Sequence, residues 1–529
     1  MSNPLPSFQH IVVLMFENRS FDHIFGGFTQ LNGVRVDGLY QPDGLTLKPE
    51  VYNLPDPTQP PGPSNAQIYP QPIGLGPSGV SQLAHDFNHD FGDGMVPDFF
   101  GPYVGLPGGT TGYTDATGPI GAPSITYPPS NSGFYSTIAW NADPTGQTPN
   151  GADALNFFQP GSLQVLHPLA QNFVLCDRWF CDMPGHTEPN RAFFHCATTG
   201  AVGIDDNDGG MVGEPTLFQL IDTQLGGIEP NLRWKMYAAA GAQRDVTFLN
   251  LAVAADSRSQ ATLDDFASDV QGGTLPYYSF LMCWQANATV ETDTSMHPAS
   301  DIRAGENYLA AVYNTLRASP TLWPDTLLVI TFDENGGMYD HVSPPSTVPP
   351  APATASGYQV STGTTNSGLA SQFDFSLLGP RLPAILVSPW LAAGRVAQQP
   401  CQNTSVARFV EDLLNVPADQ SLTLRDAAAP SLTPVLAQFA LPALRPDCPL
   451  TLPSYPGYPY STGILADDPA GTARRAQLLP MPHMVEVAKK YINGLPGHPD
   501  SGRKFDWNFA TYADLNRYIA TRLKAAGLG

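Results

Sequence analysis

Three short apolar runs constrain this chain more than any other feature: His10–Phe16, Thr326–Phe332 and Leu382–Ser388. A strand with one face in water alternates apolar and polar residues, and these runs do not. Rich in Val, Ile and Leu and each stopping at a polar or turn residue, they fit strands buried on both faces, as in a parallel sheet covered by helices. Helical patterns supply the covering layers. Asp301–Leu316 places Ile302, Leu309, Val312 and Leu316 near one stripe just ahead of the 326 run, and Tyr512–Leu523 is a second amphipathic segment. The pattern predicts an α/β sandwich.

Between these elements, Pro and Gly cluster rather than spread evenly. Tyr40–Ser81, Gly101–Pro149 and Ser343–Ser371 carry no helical or strand period and read as long excursions of the kind that build lids and binding walls. The expected organisation is a catalytic domain over 1–450, with insertions at about 40–81, 101–149 and 343–371 forming a cap, and a C-terminal extension over 451–529 packed on it. Only 14% of residues are charged and 42% are hydrophobic, so the composition of a disordered chain is missing. Asp and Glu outnumber Lys and Arg by 47 to 25, a net charge of −22 that repels nucleic acid and anionic surfaces; no nucleic-acid partner is expected. No run approaches the ~20 apolar residues of a membrane span. Residues 1–8 carry neither a basic segment nor a small-residue cleavage site. The expectation is a soluble protein, periplasmic or secreted if a leader has been removed and cytoplasmic otherwise. Six cysteines are too few for a disulfide scaffold, but their even number suits an oxidising compartment, and Cys401 with Cys448 is the pair expected to bridge.

The segments just past the strands carry the chemistry. After Phe16 comes Glu17-Asn18-Arg19-Ser20-Phe21-Asp22-His23, and after Phe332 comes Asp333-Glu334-Asn335-Gly336-Gly337-Met338-Tyr339-Asp340-His341. Ligands of open parallel sheets bind beyond the carboxyl ends of strands, so two acidic clusters there are candidates to share one site; the alternative is that each acid caps a following turn. Three more segments stand out: Ala84-His85-Asp86-Phe87-Asn88-His89-Asp90, Pro184-Gly185-His186-Thr187-Glu188-Pro189-Asn190-Arg191, and His297-Pro298-Ala299-Ser300-Asp301. Taken alone, Thr187 before Glu-Pro is better explained as a helix N-cap, whereas His297 reads as a phosphate contact or as part of a turn, and His89 equally as a surface residue or as a metal or phosphate ligand. Arg191 suits phosphate oxygens, or pairs with Asp182 or Glu188 as an anchor. Asp340-His341 reads equally as a pair orienting an imidazole toward a leaving group or as a strand-end salt bridge.

Together the segments resemble the bacterial phospholipase C and acid phosphatase phosphoesterase family, to which the plant non-specific phospholipases C are related. The resemblance runs in order from residue 8 to about 415 and includes the Asp333–Pro345 run. It implies an alkaline-phosphatase-like fold, a three-layer α/β/α sandwich with a mainly parallel central sheet, and hydrolysis of phosphate esters. By motif, Glu17, Asn18, Asp333 and Glu334 would hold one divalent metal ion and Thr187 would be the nucleophile. His85 and His297 would contact the phosphate. From the residues themselves rather than the resemblance, His341 is a further candidate catalytic imidazole, and Asn190, Arg191 and His89 are candidate substrate contacts. Phe332 and Asn335 depart from the frequent Tyr-Asp-Glu-His, and Asn403-Thr404-Ser405 stands where His-Thr-Ser is common, which leaves the pocket shape and one imidazole open.

The residue chemistry agrees. Three carboxylates and an amide oxygen form a hard shell suited to Mg²⁺, Mn²⁺, Ca²⁺ or ferrous iron more than to a thiolate-rich Zn²⁺ site, with the identity open among Mg²⁺, Mn²⁺, Ca²⁺, iron and Zn²⁺. The expected substrate is a phosphate ester, with a phospholipid favoured over a small phosphomonoester. A non-catalytic phosphate-binding protein is a remote alternative. A sulfatase would need Cys or Ser where Thr187 stands.

Overall fold

His10–Phe16 (β1) is the strand on which the rest is built, because six of its seven residues are fully enclosed and its neighbours lie parallel on both sides. The computed structural model describes residues 7–55, 60–73, 134–135, 151–199, 214–242, 244–285, 288–289, 291–298, 300–350, 375–462 and 465. Among them, seven more strands join β1: Val174–Cys176 (β2), Trp234–Ala238 (β3), Ala261–Thr262 (β4), Tyr278–Met282 (β5), Thr326–Phe332 (β6), Ala384–Val387 (β7) and Arg395–Ala397 (β8). Their spatial order is β8-β2-β7-β6-β1-β5-β3-β4. β1 runs parallel to β5, with Ile11 opposite Tyr278, and to β6, with His10 opposite Thr326 and Phe16 opposite Phe332. The register brings the carboxyl ends of all three strands to one edge.

The run expected around Leu382–Ser388 is a strand, but β7 pairs antiparallel with both β6 and β2, against the expectation of a parallel member. A strand covered on both faces shows the same apolar run in either direction, so its sequence carries no sign of polarity.

Helices cover both faces. Phe194 and Phe218, on Thr187–Cys196 and Leu217–Gln224, meet Phe280 and Tyr278 on one face of β5, while Tyr308 of Ile302–Ala318 meets Phe16 on the opposite face of β1. We number the helices used below as α1 (Phe21–Phe25), α2 (Leu166–Asn172), α3 (Thr187–Cys196), α4 (Leu217–Gln224) and α5 (Ile302–Ala318). The three-layer α/β/α sandwich with a mainly parallel sheet is the architecture. The stripe of α5, Ile302, Leu309, Val312 and Leu316, is buried as its spacing predicts, and Asp301 caps it by accepting from the Arg303 backbone N–H. Tyr512–Leu523 lies outside the described residues.

Where the 40–81 insertion is described, it joins a small second core, with Val51 alongside Leu39, Leu155, Phe157, Met338 and Tyr339. Residues 451–462 run along α5, where Asn307 Nδ2 donates to the carbonyls of Tyr455 and Pro459. All six cysteines are buried and free, so the expected Cys401–Cys448 bridge is absent. Cys401 sits in a short strand beside Trp179 and Cys448 follows Arg445, whose Nη2 approaches its sulfur at 3.2 Å.

Candidate functional site

Glu17 and Asn18 leave β1 as Asp333 and Glu334 leave β6, and the backbone knits the two pairs together. Asn18 takes a left-handed conformation (φ 62°), which Asn tolerates better than most residues. That turn aims its N–H at Asp333 Oδ1, 3.0 Å away, and Glu334 N donates to the same oxygen at 2.7 Å. Arg19 N donates to Glu334 O at 3.1 Å. Gly336 (φ 63°) packs against the Asn18 backbone; a Cβ there would fall 2.6 Å from Asn18 Cβ, so the glycine is required by contact as well as by conformation.

All four residues are buried, Glu17 at 8% exposure and the other three at 0%. Burial first, and then the charge of Asp333, raises the Glu17 carboxyl well above its ordinary range. Burial also raises Asp333, against the pull of Arg191 and two backbone N–H groups. Two buried carboxylates that burial pushes toward protonation, with a third acid and an amide alongside, are a donor set that a divalent cation relieves. The residues therefore fit such an ion.

A tighter acidic group lies nearby. Asp22, Asp340 and His341 offer ligand atoms within 4.8 Å of one another. Arg381 already occupies it: Nη2 lies 2.9 Å from Asp22 Oδ1 and Nε 3.1 Å from Asp340 Oδ1, with the guanidinium fully buried. A guanidinium and a metal ion compete for the same charge, and the set from β1 and β6 likewise has a guanidinium, Arg191, on Asp333. An acidic group able to hold a divalent cation is present in either case.

His341 belongs to that ion cluster. Its Nδ1 lies 2.7 Å from Asp22 Oδ2, and its Nε2 lies 2.9 Å from Lys48 Nζ and 3.4 Å from Asp37 Oδ1. Burial alone would lower the imidazole pKa, but Asp22 and Asp37 carry it above the ordinary value. Its ion-pair partner at Nδ1 is Asp22.

Thr187 is the first residue of α3, and the N-cap is His186 rather than Thr187 as the isolated segment suggested. Its Oγ1 donates instead to Asn18 Oδ1 at 3.2 Å, which joins the hydroxyl to the acidic set across 169 positions of sequence. The first turn of a helix favours negative charge, which suits a phosphate there. Asn190 holds this turn in place: its Oδ1 accepts from Met183 N, and its Nδ2 donates to the carbonyls of Met183, Gly185 and His186. Arg191 pairs with neither Asp182 nor Glu188. Its Nε meets Asp333 Oδ2 at 2.9 Å and its Nη1 meets both Asp245 oxygens at 3.2 Å, while Asp182 pairs with Arg425. Fully enclosed, Arg191 is a counter-charge beneath the acids.

His297 is partly exposed on a loop anchored by Arg19, which donates to the carbonyls of Met296 and His297. The turn reading also holds for its backbone, since His297 O accepts from Ser300 N. His85 and His89 lie outside the described residues. Asn403 is enclosed below the site, donating to the carbonyls of Phe332 and Asp333 and accepting from Trp179. Two residues escaped the sequence reading. Arg19 sat inside a recognised motif without a role, and Trp284 lies just past β5, whose Tyr-Ser-containing run lacks the uniform apolar signal of β1 and β6.

The chain is 28% identical over 456 residues to non-specific phospholipase C3 of Arabidopsis thaliana, covering 84% of this chain and 76% of that one. It is 25% identical over 475 residues to phospholipase C B of Mycobacterium tuberculosis, covering 83% and 79%. Among solved structures, a phosphonate monoester hydrolase from Silicibacter pomeroyi aligns with a TM-score of 0.30 at 11% identity over 54% of this chain and 73% of that one, too distant to bear on any detail. The model of the Phosphoesterase family matches residues 8–417, most of the chain and every element that meets at the site, so this chain belongs to the phosphoesterase family and is a phosphoric ester hydrolase.

Proposed function

We propose that the enzyme is of the phospholipase C type, releasing the phosphorylated headgroup of a phospholipid through a phosphothreonine on Thr187. The observation that carries this reading is the meeting of the Thr187 hydroxyl with Asn18 Oδ1 at 3.2 Å, on the sheet edge where Glu17, Asp333 and Glu334 stand. The names of the plant and mycobacterial relatives favour a phospholipid over a small phosphomonoester.

The hydrogen bond to Asn18 orients Oγ1 and leaves its lone pairs for attack, and the hydroxyl proton passes to water as the bond to phosphorus forms. The oxygen attacks phosphorus in line, the bond to the glyceride oxygen breaks, and the leaving alkoxide takes a proton. Water then cleaves the phosphothreonine. Glu17, Asn18, Asp333 and Glu334 would hold the divalent cation, which supplies charge neutralisation and a lowered hydroxyl pKa when bound; their hard oxygens suit Mg²⁺, Mn²⁺, Ca²⁺ or ferrous iron better than Zn²⁺. His297 and His85 are assigned to the phosphate oxygens and to protonation of the leaving group. The backbone N–H groups at the start of α3 add to the same field.

The test assays Thr187→Ala and Thr187→Ser on phosphatidylcholine vesicles and p-nitrophenyl phosphate, with diacylglycerol and headgroup measured directly. The Ala variant is expected to lose more than about 10³-fold in turnover at an unchanged melting temperature, and Ser to keep a measurable fraction, because only Ser retains an attacking oxygen. Wild-type turnover by the Ala variant overturns the nucleophile. Hydrolysis of the monoester with phosphatidylcholine untouched overturns the phospholipid.

A further inference from the structure

A third parallel strand ends at the same edge, and the residues just past it touch the acids. β5 closes at Met282, and two residues on the Trp284 indole N–H donates to Glu17 Oε1. Among the described residues this is the hydrogen bond that the Glu17 carboxylate accepts. The face of the same indole lies 4.5 Å from the Arg191 guanidinium, whose Nη2 stands 3.9 Å from Glu17 Oε1 and whose Nε meets Asp333 Oδ2. On the apolar side the ring packs against Ala192, Cys196 and Leu249.

We propose that Trp284 is a positioning residue for Glu17. Its N–H fixes one carboxylate oxygen, and its ring steadies the guanidinium that lies between Glu17 and Asp333. A glutamate at a strand end has three rotatable bonds, and holding one oxygen before a cation arrives removes freedom that binding would otherwise have to freeze. The indole suits the task because it only donates and carries no charge: it orients the carboxylate without neutralising it, as an ammonium would. Partners of this kind behind metal-ligating groups set affinity as well as geometry. The inference rests on the reading of Glu17 and Asp333 as cation ligands.

The ring and the N–H are separable. Trp284→Phe keeps an aromatic face for Arg191 and for the apolar neighbours but loses the donor, whereas Trp284→His restores an N–H. Mn²⁺ titration of the full chain by calorimetry is expected to show a dissociation constant about tenfold or more weaker for Trp284→Phe, with partial recovery in Trp284→His and an unchanged melting temperature in chelator. Wild-type Mn²⁺ affinity in Trp284→Phe, alongside weakened binding in Glu17→Gln and Asp333→Asn, overturns the role of Trp284 alone. Wild-type affinity in all of these variants overturns the cation site, and the proposal with it. A lowered melting temperature in chelator without recovery by His makes Trp284 a packing element and also overturns it.

Discussion

Arg191 separates two kinds of explanation for a buried guanidinium beside a phosphate site. A substrate contact should raise KM when removed and leave the fold alone. Here the guanidinium offsets Asp333 and Asp245 at 0% exposure, so Arg191→Met strands two carboxylates in a low-dielectric interior. The expected cost is about 3–5 kcal/mol, read as a large drop in the denaturation midpoint. A normal midpoint with KM alone raised would return Arg191 to the substrate. The sequence marked this residue through its motif, but a guanidinium serves carboxylates and phosphates with the same fork, and only the fold decides which it meets. Asn190 obeys the same logic. Its neighbourhood read as substrate-binding, yet its side-chain amide is spent on the 183–186 turn. Thr187 was the residue most open to a capping explanation, and that fails because the helix cap sits one position earlier than the isolated segment suggests.

At the scale of elements, the site depends on two strand ends turning tightly against each other. Gly336 is the point of closest approach, and Gly336→Ala combines a positive φ with a clash against the Asn18 backbone. A loss of about 1–3 kcal/mol is expected together with reduced turnover, because any relief must displace Asn18 and with it the partner of Thr187. If crystals or spectra of the variant show Asn18 undisturbed and stability unchanged, the turn is not what orders the site. β1 and β6 were legible because central strands buried on both faces leave uninterrupted apolar runs. β2 and β8 have three residues each, too few for any period to show. β5 hid behind Tyr277, Tyr278 and Ser279, and with it went Trp284, although an aromatic residue just past a strand was a signal available to be read. The antiparallel setting of β7 had no signal at all.

Across the whole molecule, Glu306 is a junction. It lies on α5, accepts from the backbone N–H groups of Gln164, Val165 and Leu166 at the start of α2, and receives the Tyr455 hydroxyl from the segment beyond 450. The apolar stripe of α5 was readable; this buried acid between its stripe positions was not, because its partners lie about 140 and 149 residues away. Burial, outweighing those hydrogen bonds, raises its carboxyl from an ordinary 4.5 to about 7. The folded protein therefore keeps a proton that the unfolded chain has released across that window. Stability from this group is fully present below about pH 4.5 and is lost as pH rises through 7, with a slope approaching 1.4 kcal/mol per pH unit in between. Glu306→Gln lacks the titration. The melting temperature of the wild type relative to the variant should therefore grow on the acid side, measured by calorimetry from pH 8 down to pH 5. Parallel curves for the two proteins would mean that Glu306 stays ionised in the fold, held by its backbone donors, and that the junction is an anionic helix cap instead of a protonated one.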